Sequence, residues 1–444
     1  MSSDFSFIRR KAPTPDLPSC RGSSDSDNTR TPDGARIYAV VDRSNEPRVK
    51  WGLPETVQFC TKCVVSNQRP STVVEYEHGK DSRKPTIFFD DEGVCSACRY
   101  HHRKYHEIDW EQRERELLDL CDRHRSRDGS YDVVVPGSGG KDSVYVGHIL
   151  KHKYGMNPLT VTWAPHRYTD IGWRNFQNWI DAGFDNVLVT PNGKVHRTLT
   201  RFAFENLLHP FQPFMIGQKN VGPRLALEKG IKLIMYGESQ AEGGSLLNAD
   251  NPRMPNSFFA RPRDRLRSIE VGGVPFDQLV SYGIPESELQ PYIPVALEDV
   301  EAAGIDVHFM SYYKLWRPQD NYYYAAEHCG FEANPERSEG TYSKYASLDD
   351  RIDGFHYFTT YIKFGIGRAT YDAAQEVRNG HITREEAVAL AHKFDGEFPK
   401  KYFAEFLDYI GITEQRFWEL IDNGRSAHLW EHTDSGWKLK HQVR

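Results

Sequence analysis

The sequence predicts an α/β protein, a parallel sheet with helices on both faces. Three observations carry that expectation. Five short β-rich runs, DVVVP, LTVTWAP, NVLVT, IKLIMYG and IDVHFM, recur between residues 132 and 310. Amphipathic helical patterns separate most of them, as in TDIGWRNFQNWIDAG (169–183), with Thr169 or Asp170 as cap and Gly183 as stop. The first run leads straight into a glycine-rich turn and a helix, YDVVVPGSGGKDSVYVGHIL (131–150). Strands that alternate with helices must cross over, so they pair in parallel and are covered on both faces.

The flanking segments follow in order. Residues 1–54, including LPSCRGSSDSDNTRTPDGAR, hold too little apolar material to bury and read as a disordered tail, with a short strand at Ile37–Val41. Residues 55–105 carry two C-x-x-C pairs, Cys60/Cys63 and Cys95/Cys98, around two β-like runs, STVVEYE and PTIFFDDEG. Four thiolates on two knuckles suit a closed tetrahedral Zn²⁺ site, so this segment reads as a small zinc-ribbon-like module. His101, His102 and His106 read as an exposed helix face. WEQRERELLDLCDRHRSRDGS, within 106–130, reads as a charged linking helix that stops near Gly129. Residues 131–310 form the sheet domain, with an insertion at 245–294, rich in Pro, Arg and Asn, over the sheet's edge. Residues 311–444 read as helical: Thr383 and Glu386 form a capping box, and Thr413 caps EQRFWELIDNG.

A chain of 444 residues is expected to hold two or more domains. A formal net charge of −6 argues against a general nucleic-acid binder. No run approaches the roughly 18 apolar residues of a membrane-spanning helix, and the first residues lack the apolar core of a secretory signal. Four of the seven cysteines fall in the two pairs, which indicates metal rather than disulfides and a reducing cytoplasm.

The glycine-rich turn is not a Walker A loop, because Asp142 stands where Ser or Thr would hold Mg²⁺. It is not a dinucleotide fingerprint either, since the third glycine would fall on Asp142. Gly139 and Gly140 allow positive φ and close backbone approach. Successive N–H groups, the helix N-terminus near Ser143 and the hydroxyls of Ser138 and Ser143 would converge on one anion. Asp142 beside that anion makes sense only with a divalent cation between them.

The run Ser138-Gly139-Gly140-Lys141-Asp142-Ser143 resembles the SGGxDS loop of the PP-loop ATP pyrophosphatases, which have a Rossmann-like (HUP/PP-loop) fold. The resemblance implies ATP bound through this loop, attack at the α phosphorus, and release of AMP and pyrophosphate. Lys141, Asp142, Glu238 and Lys219 form the expected catalytic set. Glu238 ends the fourth strand, where it would share Mg²⁺ with Asp142 or be a plain loop acid. Trp163 would wall the adenine site or be core; Gln218 and Lys219 precede a helix on the same side, with Lys219 offsetting phosphate charge.

More widely, from Cys60 to Trp430, the chain resembles the N-acetyl sugar amidotransferases of the WbpG and PseA type. VTWAPHRYTDIGWRN, PFMIGQKN, RSEGTYSKYASLDDRIDGFHYF, IKFGIGRATYDAAQEVRNGHITREEA and DGEFP carry that resemblance. YGESQAEGG departs from the pattern and leaves the role of Glu242 open. The resemblance implies adenylation of an N-acetyl amide oxygen on a nucleotide-linked sugar, then displacement of AMP by ammonia to give an acetamidino group. The setting would be LPS O-antigen or flagellin glycan biosynthesis. Ammonia would come from a separate HisH-like glutaminase with a HisF-like partner, because Ser2 follows Met1 and no G-x-C-x-G elbow occurs. No nucleic-acid or membrane partner is expected, and a homodimer is left open. Arg337, Glu339, His356, Lys363 and Arg368, among glycines and tyrosines, suit a UDP- or CMP-sugar; interdomain ion pairing is the alternative for them. Two rival functions remain, a PP-loop tRNA thiolase with structural zinc and a non-catalytic nucleotide-binding module. Against the first, Cys329 is the single cysteine beyond Ser143, and it reads as core.

Overall fold

Five parallel strands make the central sheet: β1 Val133–Pro136, β2 Pro158–Trp163, β3 Asn186–Val189, β4 Leu233–Tyr236 and β5 Asp306–Phe309, in the order β3-β2-β1-β4-β5. The computed structural model describes residues 48–245 and 248–444. Most of the expected tail, with the strand at 37–41, lies outside the described residues. Val133, Val135, Leu233 and Met235 face one core, while Pro136 and Ile234 meet a helix at Gly222 on the other side. Two-sided burial explains why these runs are continuously apolar rather than alternating.

The helices follow the expected alternation. α1 (Ser96–His106) and α2 (Trp110–His124) precede β1; α3 (Lys141–His152), α4 (Asp170–Asp181), α5 (Gly193–Leu207) and α6 (Gln212–Lys229) lie among the strands. Thr169 caps α4 by accepting from Gly172 N–H, and Gly183 takes φ +97° just beyond its end. After β5 come α7 (Pro318–Cys329), α8 (Asp353–Phe364), α9 (Arg368–Arg378), α10 (Arg384–Phe394), α11 (Phe403–Ile410) and α12 (Glu414–Gly424). The capping box of Thr383 and Glu386 is formed, and Thr413 accepts from Arg416 N–H. The helical region closes with a hairpin, Trp430–Thr433 against Gly436–Leu439, that the sequence reading did not foresee.

Four local expectations are corrected. The runs around the cysteines form no ladder: they meet only at the bridges Phe59↔Ser66, Pro70↔Thr86 and Phe89↔Cys95, and Glu75–Glu77 is a 3₁₀ turn. Pro70 and Pro85 offer no N–H to a ladder there. α2 stops at His124, not near Gly129, because side chains take the next backbone donors: Asp132 accepts from Ser126 N–H and Asp128 from Ser130 N–H. Leu117, Leu120 and Cys121 are buried in the sheet core, so α2 is more than a linker. Residues 48–54 are tied down, with Leu53 buried and Trp51 Nε1 donating to Gly424 O at 3.0 Å.

Within 245–294, residues 252–254 run beside β5 at the sheet's edge. Met254 N–H donates to Val307 O, and Phe309 N–H donates to Pro252 O. The cysteine segment packs on later helices: Cys60, Cys63 and Cys95 share a core with Ala373 and Ala374 of α9 and Ala387 and Ala391 of α10.

Candidate active site

The strand order reverses between β1 and β4, and ligands of open parallel sheets sit beyond the strand ends at such a point. The loop after β1 is built for close approach. Gly139 has φ +82°, and a Cβ there would lie 2.8 Å from Phe176 Cα. A Cβ on Gly137 would lie 2.1 Å from Ser143 Cβ. Gly140 has an ordinary φ of −70° as the residue before α3, which corrects the expectation of positive φ there. Ser143 is also turned back, its hydroxyl donating to Gly140 O at 3.0 Å rather than pointing out of the loop. Ser138 lies beside Asp349. Lys141, whose side chain is buried, pairs with Asp142, and Asp142 Oδ1 accepts from Asn321 Nδ2 of α7 at 2.9 Å.

Gly137, Ser138, Gly139, Gly140, Lys141 and Asp142 line a cleft of about 800 Å³, together with Trp163, Gln218 and Glu238, whereas Ser143 does not line it. The opposite wall is Tyr342–Asp350, Asp353, Arg368 and Asp372. The exit of β2 pins that wall in place: Thr169 N–H donates to Asp349 O at 3.1 Å, and Asp350 accepts from both His166 N–H (2.8 Å) and His166 Nδ1 (2.7 Å). Gly172 makes the approach feasible, because a Cβ there would fall 2.3 Å from Asp349 Cα.

The electrostatics are acidic. Glu238 reaches the water of the cleft, yet protein walls surround it; this burial, with Asp142 and Glu242 nearby, pushes its carboxyl up to about 7. Burial also pushes Asp353 up to about 7; Arg368 opposes the shift, and Asp349 and Asp350 reinforce it. Arg368 Nη1 stands 3.1 Å from Asp353 and its guanidinium stacks on Tyr357. The two carboxylates pushed toward neutrality line the same cleft as the glycine-rich loop.

The other expected residues are distributed as follows. Trp163 is buried against Gly217 on the cleft wall. Lys219 lines a separate pocket of about 280 Å³ that shares Glu238 with the cleft; burial lowers its ammonium to about 8. Of Arg337, Glu339, His356, Lys363 and Arg368, only Arg368 lines the cleft. Arg337 and Glu339 line an adjoining cavity of about 950 Å³ that shares Asp353 and Arg368. There Arg337 forms a two-pronged pair with Glu397, at 2.6 and 2.7 Å, and Glu339 accepts from Lys400 and Lys401 N–H. His356 packs between His209 and Phe211, and Lys363 is buried, donating to Leu207 O; neither lines the two cavities.

The sequence reading missed a buried ion pair. Lys104 Nζ of α1 contacts both oxygens of Glu242, at 2.9 and 2.8 Å, and also Trp316 O. His101 Nε2 lies 3.2 Å from the same carboxylate. His101 is therefore buried, contrary to the expected exposed face, while His102 and His106 are exposed. Ala97, Tyr100, His101 and Lys104 share one helical face, and that spacing is the signal that could have revealed it. Glu242 anchors α1 to the turn that follows Glu238.

The four cysteines of the pairs can hold a metal ion. Cys60 and Cys98 sulfurs are 3.8 Å apart, as are those of Cys63 and Cys95. Tetrahedral Zn–S bonds of about 2.3 Å require sulfur separations of about 3.8 Å. A multi-iron cluster would spread its thiolates further. N–H groups of Lys62, Cys63 and Cys95 point at Cys60 Sγ, each at 3.4 Å.

Comparison with known proteins adds two likenesses. Residues 339–444 match the family model "LPS biosynthesis protein WbpG-like, C-terminal domain". Among solved structures, the U34-tRNA thiolase NcsA from Methanococcus maripaludis with its [4Fe-4S] cluster is similar at 11% identity and a TM-score of 0.25, over 76% of this chain and 97% of that one. So low a score transfers no residue role. No curated protein matches the chain. The fold is a five-stranded parallel sheet, and the segment that matches the WbpG-like domain supplies Arg368 and Asp372 to the cleft that the loop after β1 lines.

Proposed function

We propose that the chain is an ATP-dependent amidotransferase acting on the N-acetyl group of a nucleotide-linked sugar. One observation supports the reading: the glycine-rich loop after β1 and side chains of the WbpG-like segment line a single cleft of about 800 Å³. That volume is within the range of about 300–1,000 Å³ typical of ligand sites.

The loop N–H groups and Lys141 would hold the β and γ phosphates. Asp142 and Glu238 would hold Mg²⁺, which neutralises charge developing on the phosphates. The amide oxygen attacks the α phosphorus, the bond to the β phosphate breaks, and pyrophosphate leaves. Ammonia then adds to the activated carbon, AMP departs with the former amide oxygen, and an acetamidino group remains. A neutral amide oxygen is a poor leaving group; AMP is a good one. Arg368, which lines both cavities, would meet an anionic group of the sugar nucleotide. Ammonia would be delivered by a HisH-like glutaminase with a HisF-like partner, and the cysteine cage would hold structural Zn²⁺.

The thiolase reading finds no support in the cleft, where no cysteine lines the wall among the described residues. Cys329 is buried, and burial pushes its thiol up to about 11. The experiment is turnover of ATP with a panel of UDP- and CMP-linked N-acetyl sugars and ammonium, with products separated by chromatography. AMP and pyrophosphate in equal amounts, dependent on one sugar nucleotide, are expected. Stoichiometric ADP, or no nucleotide turnover with any sugar, would refute the proposal.

A further inference from the structure

A second group of metal-ligating side chains lies apart from the cysteines. Glu75, His78 and His209 each offer one ligand atom, all within 4.8 Å of one another. Glu75 opens the 3₁₀ turn of the cysteine segment and His78 ends it. His209 follows Leu208, the left-handed residue (φ 44°) that closes α5. His78 Nδ1 and His209 Nε2 stand 3.6 and 3.4 Å from the same oxygen, Glu75 Oε2, and all three side chains are about nine-tenths buried.

We propose that these three residues bind a divalent transition ion of the Zn²⁺ class. Bonds of about 2.1 Å to N and O, arranged tetrahedrally, put neighbouring ligand atoms about 3.4 Å apart, close to the separations seen. Glu75 Oε2 and His78 Nδ1 have no hydrogen-bond partner although both are buried, and buried polar atoms normally have one. The second oxygen, Oε1, faces Lys84 Nζ at 3.8 Å, so its charge is met while Oε2 stays available. The backbone under the site is fixed: Gln212 Nε2 donates to Glu75 O at 2.8 Å, and Gln212 Oε1 accepts from Gly272 N–H. Such outer support is usual around metal ligands.

Two imidazoles and one carboxylate suit Zn²⁺, Co²⁺ or Fe²⁺ better than Mg²⁺. Three protein ligands leave a position for water, as in sites that are not purely structural. Glu75 also lines the 280 Å³ pocket, whose wall includes Glu238 of the main cleft. The ion therefore ties the cysteine segment to the α5–α6 turn and offers a bound water to a space next to the reaction cleft.

Metal analysis of the purified full chain tests this. Two zinc ions per chain are expected, with one lost in His209→Ala and in His78→Ala. After cobalt reconstitution those variants should lose a weak d–d spectrum and keep the intense sulfur-to-cobalt band of the cysteine cage. X-ray absorption of the wild-type protein decides the matter if a variant fails to fold: mixed sulfur and nitrogen/oxygen ligation supports the site. One zinc per chain with sulfur ligation alone overturns the proposal, as does a metal content of two that neither substitution lowers. None of these readouts depends on the sugar or on ATP turnover.

Discussion

Glu238 holds its proton to about pH 7 because protein surrounds it and Asp142 and Glu242 oppose its charge. Between about 4.5 in the unfolded chain and about 7 in the folded one, the native state binds more protons than the unfolded state. The stability that this proton contributes is present at low pH and lost as pH rises through 7; Asp353 acts in the same direction. Glu238→Gln should therefore stabilise the ligand-free protein at pH 8, by roughly 1 kcal/mol once cleft water is allowed for, while ATP turnover collapses. Thermal unfolding at pH 5 and pH 8 checks it: a gain at pH 5 as large as at pH 8 would contradict the account. Asp142→Asn keeps an oxygen for Asn321 to donate to, so its circular dichroism should match wild type while AMP formation falls by roughly 10²-fold or more. Asp142 was legible because it lies inside a contiguous loop. Asp349 and Asp350 were not, since hydrogen bonds from the exit of β2, far away in sequence, hold their segment against the cleft.

Among the elements, α1 depends on one buried pair. Lys104 and Glu242 have fully buried side chains, and removing one partner of such a pair costs about 3–5 kcal/mol because the other charge is left alone. Glu242→Leu and Lys104→Met should each lower the melting temperature sharply, and the two combined should recover part of the loss. A double variant as unstable as the sum of the singles would show that the two residues act separately. The five strands were readable because short β-rich runs between helical patterns leave few alternatives. The end of α2 was not, since it is decided by the side chains of Asp128 and Asp132 competing for backbone donors. The exposed reading of His101 failed for a related reason: its covering partner, Glu242, is far away in sequence.

The whole molecule couples the cysteine cage to the far end of the chain through α9 and α10. Arg384 of α10 donates to Cys63 O at 3.3 Å. Cys95→Ser should therefore release the metal and also expose α9–α10 to protease, a double effect that mass mapping of cleavage sites would detect; cuts confined to residues 55–105 would separate the two regions. A second consequence at this scale concerns nitrogen. With the purified chain, ammonium at alkaline pH should support product formation, because NH₃ carries the lone pair and NH₄⁺ does not. Glutamine alone should give none until a glutaminase is added, and equal use of both by the single chain would contradict the proposed division of labour.

The cage and its cover leave the ribosome at different times. Cys60 and Arg384 are 324 residues apart, so at about 5–20 residues per second the knuckles wait roughly 15–65 s for the helices that shield them. During that interval the segment has only its own hydrogen bonds and its cysteine cage to order it, and the face it will share with the alanines of α9 and α10 stays open.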